Sequence, residues 1–267
     1  MKKNIKEMFP KWTLEKNEEY EMCLSNDLDS LFSCVLLKNI LGYTINSFYD
    51  FEYIYENSTG KNHIGVDIDL IQGKCWGNHV TLQNNKQCAN INTILNIGRG
   101  NYTQKYCGST ALEIISYYNY DISNLSDLAK KILLCIDSTY LGYYFKGGQV
   151  CKNYLVDILE LPELYNILEN TPKQEFEEII NKYNLKSSIY IDYNRLRTDI
   201  RLKELSEIFG FKITLPKKEF IKNPNRLSVR NKKLIRSKKY ELDKIDTNIF
   251  SAVLTYKDSL RYSKILN

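Results

Sequence analysis

The chain offers only two histidines, five prolines and two tryptophans in 267 residues. No window approaches the ~18 uninterrupted apolar residues that a membrane span needs. The opening segment, MKKNIKEMFPKW, lacks the apolar core of a signal peptide, so the expected compartment is the cytoplasm. There is no C-x-x-C pair, and the seven cysteines follow no repeating spacing. That pattern excludes a secreted disulfide framework and gives redox chemistry no support; reduced, mostly buried thiols are expected. Internal repeats and low-complexity tracts are also missing.

What is present is apolar content of 43%, enough for a sizeable core in one large or two small domains. Charge is unevenly spread. Residues 217 to 239 hold ten Lys or Arg against the single acid Glu219, a local +9, whereas the whole chain is +5 and the remainder therefore −4. A concentrated cationic strip suits a polyanion such as nucleic acid, and the competing reading is a solvated surface loop.

Glu19 to Leu24 reads as a strand running into the polar turn Ser25-Asn26-Asp27. A helix follows, with Leu28, Leu31, Phe32, Val35 and Leu36 at helical spacing and Gly42 as its C-cap. Tyr43 to Phe51 and Ile64 to Leu70 read as further strands. Ser109 or Thr110 caps a helix through Tyr120, another opens near Ser123 to Ser126, and LLCID reads as a strand ending on Asp137. Alternation of this kind predicts an α/β fold with a mostly parallel sheet and helices on both faces. Gly147-Gly148 marks a boundary, giving a domain 1–147 and a smaller α+β region 148–267. The latter has helices at 150–169, 173–184 and 198–209, a strand at 187–193 and a strand pair at 248–263. His63 is expected in a polar turn, 59–63.

In an open α/β sheet, ligands bind beyond the carboxyl ends of the strands. Asp27, Asp29, Asp67, Asp69, His79 and Asp137 all fall at such ends. Two carboxylates spaced Asp-Leu-Asp can face one cation, and Asp67-Ile-Asp69 repeats the arrangement. Carboxylates with one imidazole suit Mn²⁺ or Mg²⁺. A zinc alternative would use Cys75, His79, Cys88 and Cys107.

The run LSNDLDSLFS resembles the first motif of the DHH phosphoesterase superfamily. GVDID resembles its second, GNHV its third, and CGSTALEII followed by LLCIDSTYLGYYF its capped helix and fourth motif, over roughly residues 19–147. The resemblance implies a DHH-like domain with metal ligands at Asp27, Asp29, Asp67, His79 and Asp137, and His79 and Asp29 at the reacting centre. There are three departures. Cys23 stands where the family often has His, Gly77-Asn78-His79 replaces Asp-His-His, and the interval from Asp67 to His79 is short, leaving Asp67 and Asp69 as alternatives. Cys23, Asp69 and Asn78 are therefore further candidate ligands. No counterpart of the family's Gly-Gly-His substrate domain follows.

Substrate contacts are expected from Arg99 in its glycine-flanked turn, from Ser109 and Thr110 at a helix N-terminus, and from Arg230 and Lys233 in the basic strip. The function implied is metal-dependent phosphoester hydrolysis of a nucleic acid, oligonucleotide or nucleotide. The rival is a catalytically degenerate protein that binds such a ligand.

Overall fold

The computed structural model describes residues 1–16, 19–57 and 61–266. Nine strands form one sheet: β1 (Tyr20–Leu24), β2 (Ile45–Tyr49), β3 (Tyr53–Glu56), β4 (Asn62–Val66), β5 (Cys75–Trp76), β6 (Cys88–Ala89), and, far along the chain, β9 (Ile221–Lys233), β10 (Ile249–Tyr256) and β11 (Ser259–Ile265). Their order is β10-β11-β9-β3-β2-β1-β4-β5-β6, while β7 (Ile189–Asp192) and β8 (Arg195–Thr198) pair only with each other.

The protein is α/β with a mixed sheet. Strands β2-β1-β4-β5-β6 are parallel to their neighbours, and the arm β3-β9-β11-β10 is antiparallel. The expectation of a mostly parallel sheet thus holds for one half only. The basic stretch read as a strip or loop is the long strand β9 at its centre, and charged side chains suit it because most of its residues are exposed. His63 also lies in a strand, β4, opposite Glu21, while Thr59 and Gly60 of the expected turn fall outside the described residues.

Helices on both faces were expected, but the longer helices share one. Leu28–Leu41, Thr110–Tyr117, Asp127–Cys135, Pro162–Glu169, Lys173–Tyr183 and Leu202–Phe209 feed a single core with Met22, Leu24, Phe48, Ile64 and Val66. The opposite face carries Cys23 and Tyr49, and the sheet's own arm covers it through Leu227, Phe250 and Ile265. The sheet curls until β10 reaches the segment after β4. Leu70 bridges Ser251, Ile71 N–H donates to the Phe250 carbonyl at 3.1 Å and Leu254 N–H to that of Val80 at 2.8 Å. Residues beyond 148 therefore complete the same sheet that the first residues begin.

The run LLCID ends the helix Asp127–Cys135 and enters the 3-10 turn Ile136–Ser138, and is not a strand, an ambiguity inherent in short apolar runs. The segment 150–169 is likewise not one helix. Gln149–Lys152 continues into a π-helical turn Asn153–Ile158, and the chain then breaks at the left-handed Glu160 before Pro162–Glu169, where proline opens a new helix because it cannot donate within a continuing one.

Candidate functional site

Each acidic side chain of the site is set by a chain reversal at the end of an element. Asp27 ends β1 and caps the next helix, accepting Ser30 N–H at 3.0 Å. Asp67 terminates β4 in the left-handed region at φ 57°, and Asp137 follows its helix at φ 50° with Ser138 also left-handed at φ 55°. Asp tolerates this conformation better than most residues, yet it is uncommon outside glycine, and such backbone clusters at functional sites. Beyond β5, Gly77-Asn78-His79 turns back across the sheet end. His79 Nδ1 pairs with Asp69 Oδ2 at 3.0 Å, and Asn90 Nδ2 donates to Asp69 Oδ1 at 2.6 Å. Asp69 therefore stands behind His79 and orients it, as outer carboxylates orient ligating imidazoles. A Cβ at position 77 would lie 2.7 Å from the Asp69 Cγ, so only glycine admits this carboxylate.

Asp29 is buried beneath the others. It accepts Thr110 N–H at 2.8 Å and Ala111 N–H at 2.9 Å, capping a helix from across the core. The Thr110 hydroxyl donates to Asp67 at 2.8 Å, while Ser109 caps its own helix through Leu112 N–H. Asn78 fills the place expected of a second imidazole. Its Nδ2 donates to Asp137 at 2.9 Å and to the Gly108 carbonyl at 2.9 Å, and its buried Oδ1 has no hydrogen-bond partner among the described residues.

A cavity of about 320 Å³ joins these groups, lined on one side by Asp27, Asp67, Asp69, His79 and Asp137 and on the other by the antiparallel arm. The carboxylates feel one another. Loss of hydration raises Asp27 to about 6, with the Asp137 charge adding to it and Ser30 N–H and His79 opposing. Asp27 and Asp137 still reach solvent at the rim. Burial, then the Asp27 charge, holds Asp67 well above the carboxylate range, and burial followed by Asp67, Asp137 and Asp27 does the same to Asp29. Asp137 is raised by lost hydration, against the pull of His79, Asn78 and Lys105. Burial would lower His79, but the hydrogen bond and charge of Asp69, with Asp137 and Asp67, outweigh it and lift the imidazole to about 9.

The donor set of carboxylates and one imidazole matches a hard divalent cation in kind. Among the described residues, however, no three His, Cys, Asp or Glu groups converge as ligands in this conformation. Asp27, Asp67 and Asp137 are each engaged by a protein donor instead. The zinc set is not assembled. Cys75 and Cys88 are neighbours across β5 and β6, but Cys107 lies beside Gly142. Cys23 is buried with Tyr49 and Ile68, and burial pushes its thiol to about 12, which makes it a poor donor.

Arg99 is away from the cavity. Its guanidinium is spent on Asp258, at 2.6 Å, and on the carbonyls of Lys238, Ile235 and Lys257, pinning the β10–β11 turn. Arg230 and Lys233 are exposed on β9 and do not line the cavity. Sequence reading missed Arg261, Tyr49, Ser251 and Ser263 in the cavity wall. The one available signal was the polar alternation of Arg261 and Ser263 with Leu260 and Tyr262 along β11.

The raised His79 has a pH consequence. Its folded value of about 9 exceeds the ordinary 6.5, so its contribution to stability is complete below pH 6.5 and is lost as pH rises through 9. In chelator, the melting temperature should fall between pH 7 and 9.5, and a His79→Gln variant should lack that step. The same slope in both proteins would show that another group causes it.

Comparison with known proteins finds that the chain matches no family model, no curated protein and no solved structure.

Proposed function

We propose that the chain is a divalent-metal-dependent phosphoester hydrolase, DHH-like in its motifs, acting on a nucleotide, oligonucleotide or nucleic acid. The observation that carries this reading is the meeting of Asp27, Asp67, Asp137 and His79 from four separate segments at one cavity, with the carboxylates raised first by lost hydration and, for Asp27 and Asp67, by neighbouring carboxylate charge. Such a cluster is what a cation would neutralise. Asp27, Asp67, Asp137 and His79 would hold Mn²⁺ or Mg²⁺, which supplies charge neutralisation at a phosphoryl oxygen and acidifies water. Asp69 fixes the ring of His79, leaving Nε2 for the cavity. Asp29 serves the scaffold by fastening the helix that carries Thr110, whose hydroxyl orients Asp67. The cations of β9 supply long-range attraction for a polyanion.

The test is hydrolysis of bis-p-nitrophenyl phosphate, short oligonucleotides and cyclic dinucleotides with Mn²⁺. Activity should vanish in chelator and fall by more than about a hundredfold in Asp67→Asn, since even outer partners of a ligand are worth 10–100-fold. No product from any of them sinks the enzyme reading.

A second reading has its own support. The Asn78 amide donates to Asp137 and the charged His79 sits among the carboxylates, so the cluster is partly satisfied from within, which suits a degenerate, non-catalytic nucleotide or nucleic-acid binder. It predicts oligonucleotide binding that weakens steeply with salt, without turnover.

A further inference from the structure

Opposite the carboxylates, the cavity wall holds two features that the hydrolytic reading does not use. The first is Arg261 on β11. Its guanidinium carbon lies 4.9 Å from the centre of the Phe51 ring. It forms no hydrogen bond or ion pair among the described residues, in contrast to the fully engaged Arg99. The second is a triangle of hydroxyls in the same wall. Tyr49 OH donates to Ser263 Oγ at 2.6 Å, Ser251 and Ser263 are 2.9 Å apart, and Tyr49 and Ser251 are 3.2 Å apart. All three residues are buried, with Ser251 the most open at 8% exposed.

Three hydroxyls in a closed ring satisfy one another, but any one of them can turn its proton outward to an acceptor. Arg261 is exposed and so accessible to a ligand, and its planar fork loses less freedom per hydrogen bond formed than a flexible ammonium would when it receives an oxyanion. Together they form a charged donor and an adaptable neutral donor on one wall, with the apolar Ile68, Val229 and Val253 beside them. Hydrogen bonds from β10 to the segment 69–71 tie this wall to the acidic one. The cavity volume lies at the lower end of small-ligand sites, which suits a unit of about single-nucleotide size.

We infer that Arg261, with the Tyr49–Ser251–Ser263 hydroxyls, is an anion subsite that receives the phosphate of a small phosphoester, of nucleoside monophosphate size. The inference rests on the proposed phosphoester reading for its ligand class, but it concerns binding without a metal. The experiment compares 5′-AMP with adenosine by isothermal titration in EDTA. The wild-type protein should prefer 5′-AMP by about tenfold or more, the worth of a charge-assisted hydrogen bond. Arg261→Ala should bind both equally, Arg261→Lys should keep part of the preference, and Ser251→Ala should weaken it less. Circular dichroism and melting of each variant confirm folding, and Arg261→Gln replaces the alanine variant if that one does not fold. Equal binding of both ligands by the wild-type protein, or an undiminished preference in Arg261→Ala, overturns the subsite. Absence of Mn²⁺-dependent turnover alongside an Arg261-dependent preference would refute the hydrolase and leave the subsite standing.

Discussion

Replacing Gly77 by alanine is expected to destabilise the fold by about 2 kcal/mol, in the range for overpacked interiors, and to remove any function that depends on His79. The added Cβ would meet a carboxylate and not the end of a long side chain. Asp69 is 3% exposed and is held by Asn90 and His79, so it has little room to withdraw. Displacing it strips His79 of the partner that orients the ring and keeps it charged. Urea denaturation gives the stability change, and the His79 ring resonances followed against pH give the second readout, which should move down from about 9. Wild-type stability with unchanged titration would mean that Asp69 and position 77 do not compete for space. Under the DHH-like reading, position 77 is where an acid belongs. In this chain an acid does stand behind His79, supplied by Asp69 from the preceding motif.

Asp29→Ala should cost about 3 kcal/mol, and by the same amount with or without Mn²⁺. The residue is 3% exposed and accepts the N–H groups of Thr110 and Ala111. Its removal leaves two buried donors without an acceptor, at roughly 1–3 kcal/mol each, partly offset by relief of carboxylate repulsion. The resemblance assigns Asp29 to a metal, and its hydrogen bonds assign it to the scaffold. Chemical denaturation in EDTA and in excess Mn²⁺ separates the two. If Asp29 were chiefly a ligand, the loss would appear mostly in Mn²⁺, where the wild-type protein gains stability by binding the ion and the variant would not. Asp67→Asn makes the contrasting case: it keeps a side chain that tolerates the left-handed region and an oxygen for the Thr110 hydroxyl, so in EDTA relief of carboxylate repulsion should leave stability equal or higher, while in Mn²⁺ it should forfeit the gain.

Local chemistry was legible in the sequence wherever one residue decides one turn. Asp27 and Ser109 cap their helices, and Gly42 ends its helix in the left-handed region. The order of Asp27, Asp67 and His79 along the chain was enough to expect them together, because strand ends in an α/β sheet converge on one edge, whereas Asp137 reaches them from the end of a helix. Other assignments depended on partners far away in sequence. Arg99 resembles a phosphate clamp until Asp258 is brought beside it. Asp69 reads as an alternative ligand to Asp67, and Gly77 as a departure from the motif, until the two share a volume. Asp29 looks like a ligand until a helix more than eighty positions onward presents its amide groups.

The sequence by itself determined the helix caps, the short acidic pairs Asp27-Leu28-Asp29 and Asp67-Ile68-Asp69, and the cationic stretch 217–239, since each rests on side-chain chemistry and near-neighbour spacing. Tertiary structure alone decided that the strand β9 forms the centre of this stretch, that the sheet curls so its antiparallel arm covers the face opposite the helices, and that Arg261 lines the same cavity as the carboxylates. The physical reason is that strand pairing is non-local: β3 and β9 join residues more than 160 positions apart, and no periodicity within either strand names its partner.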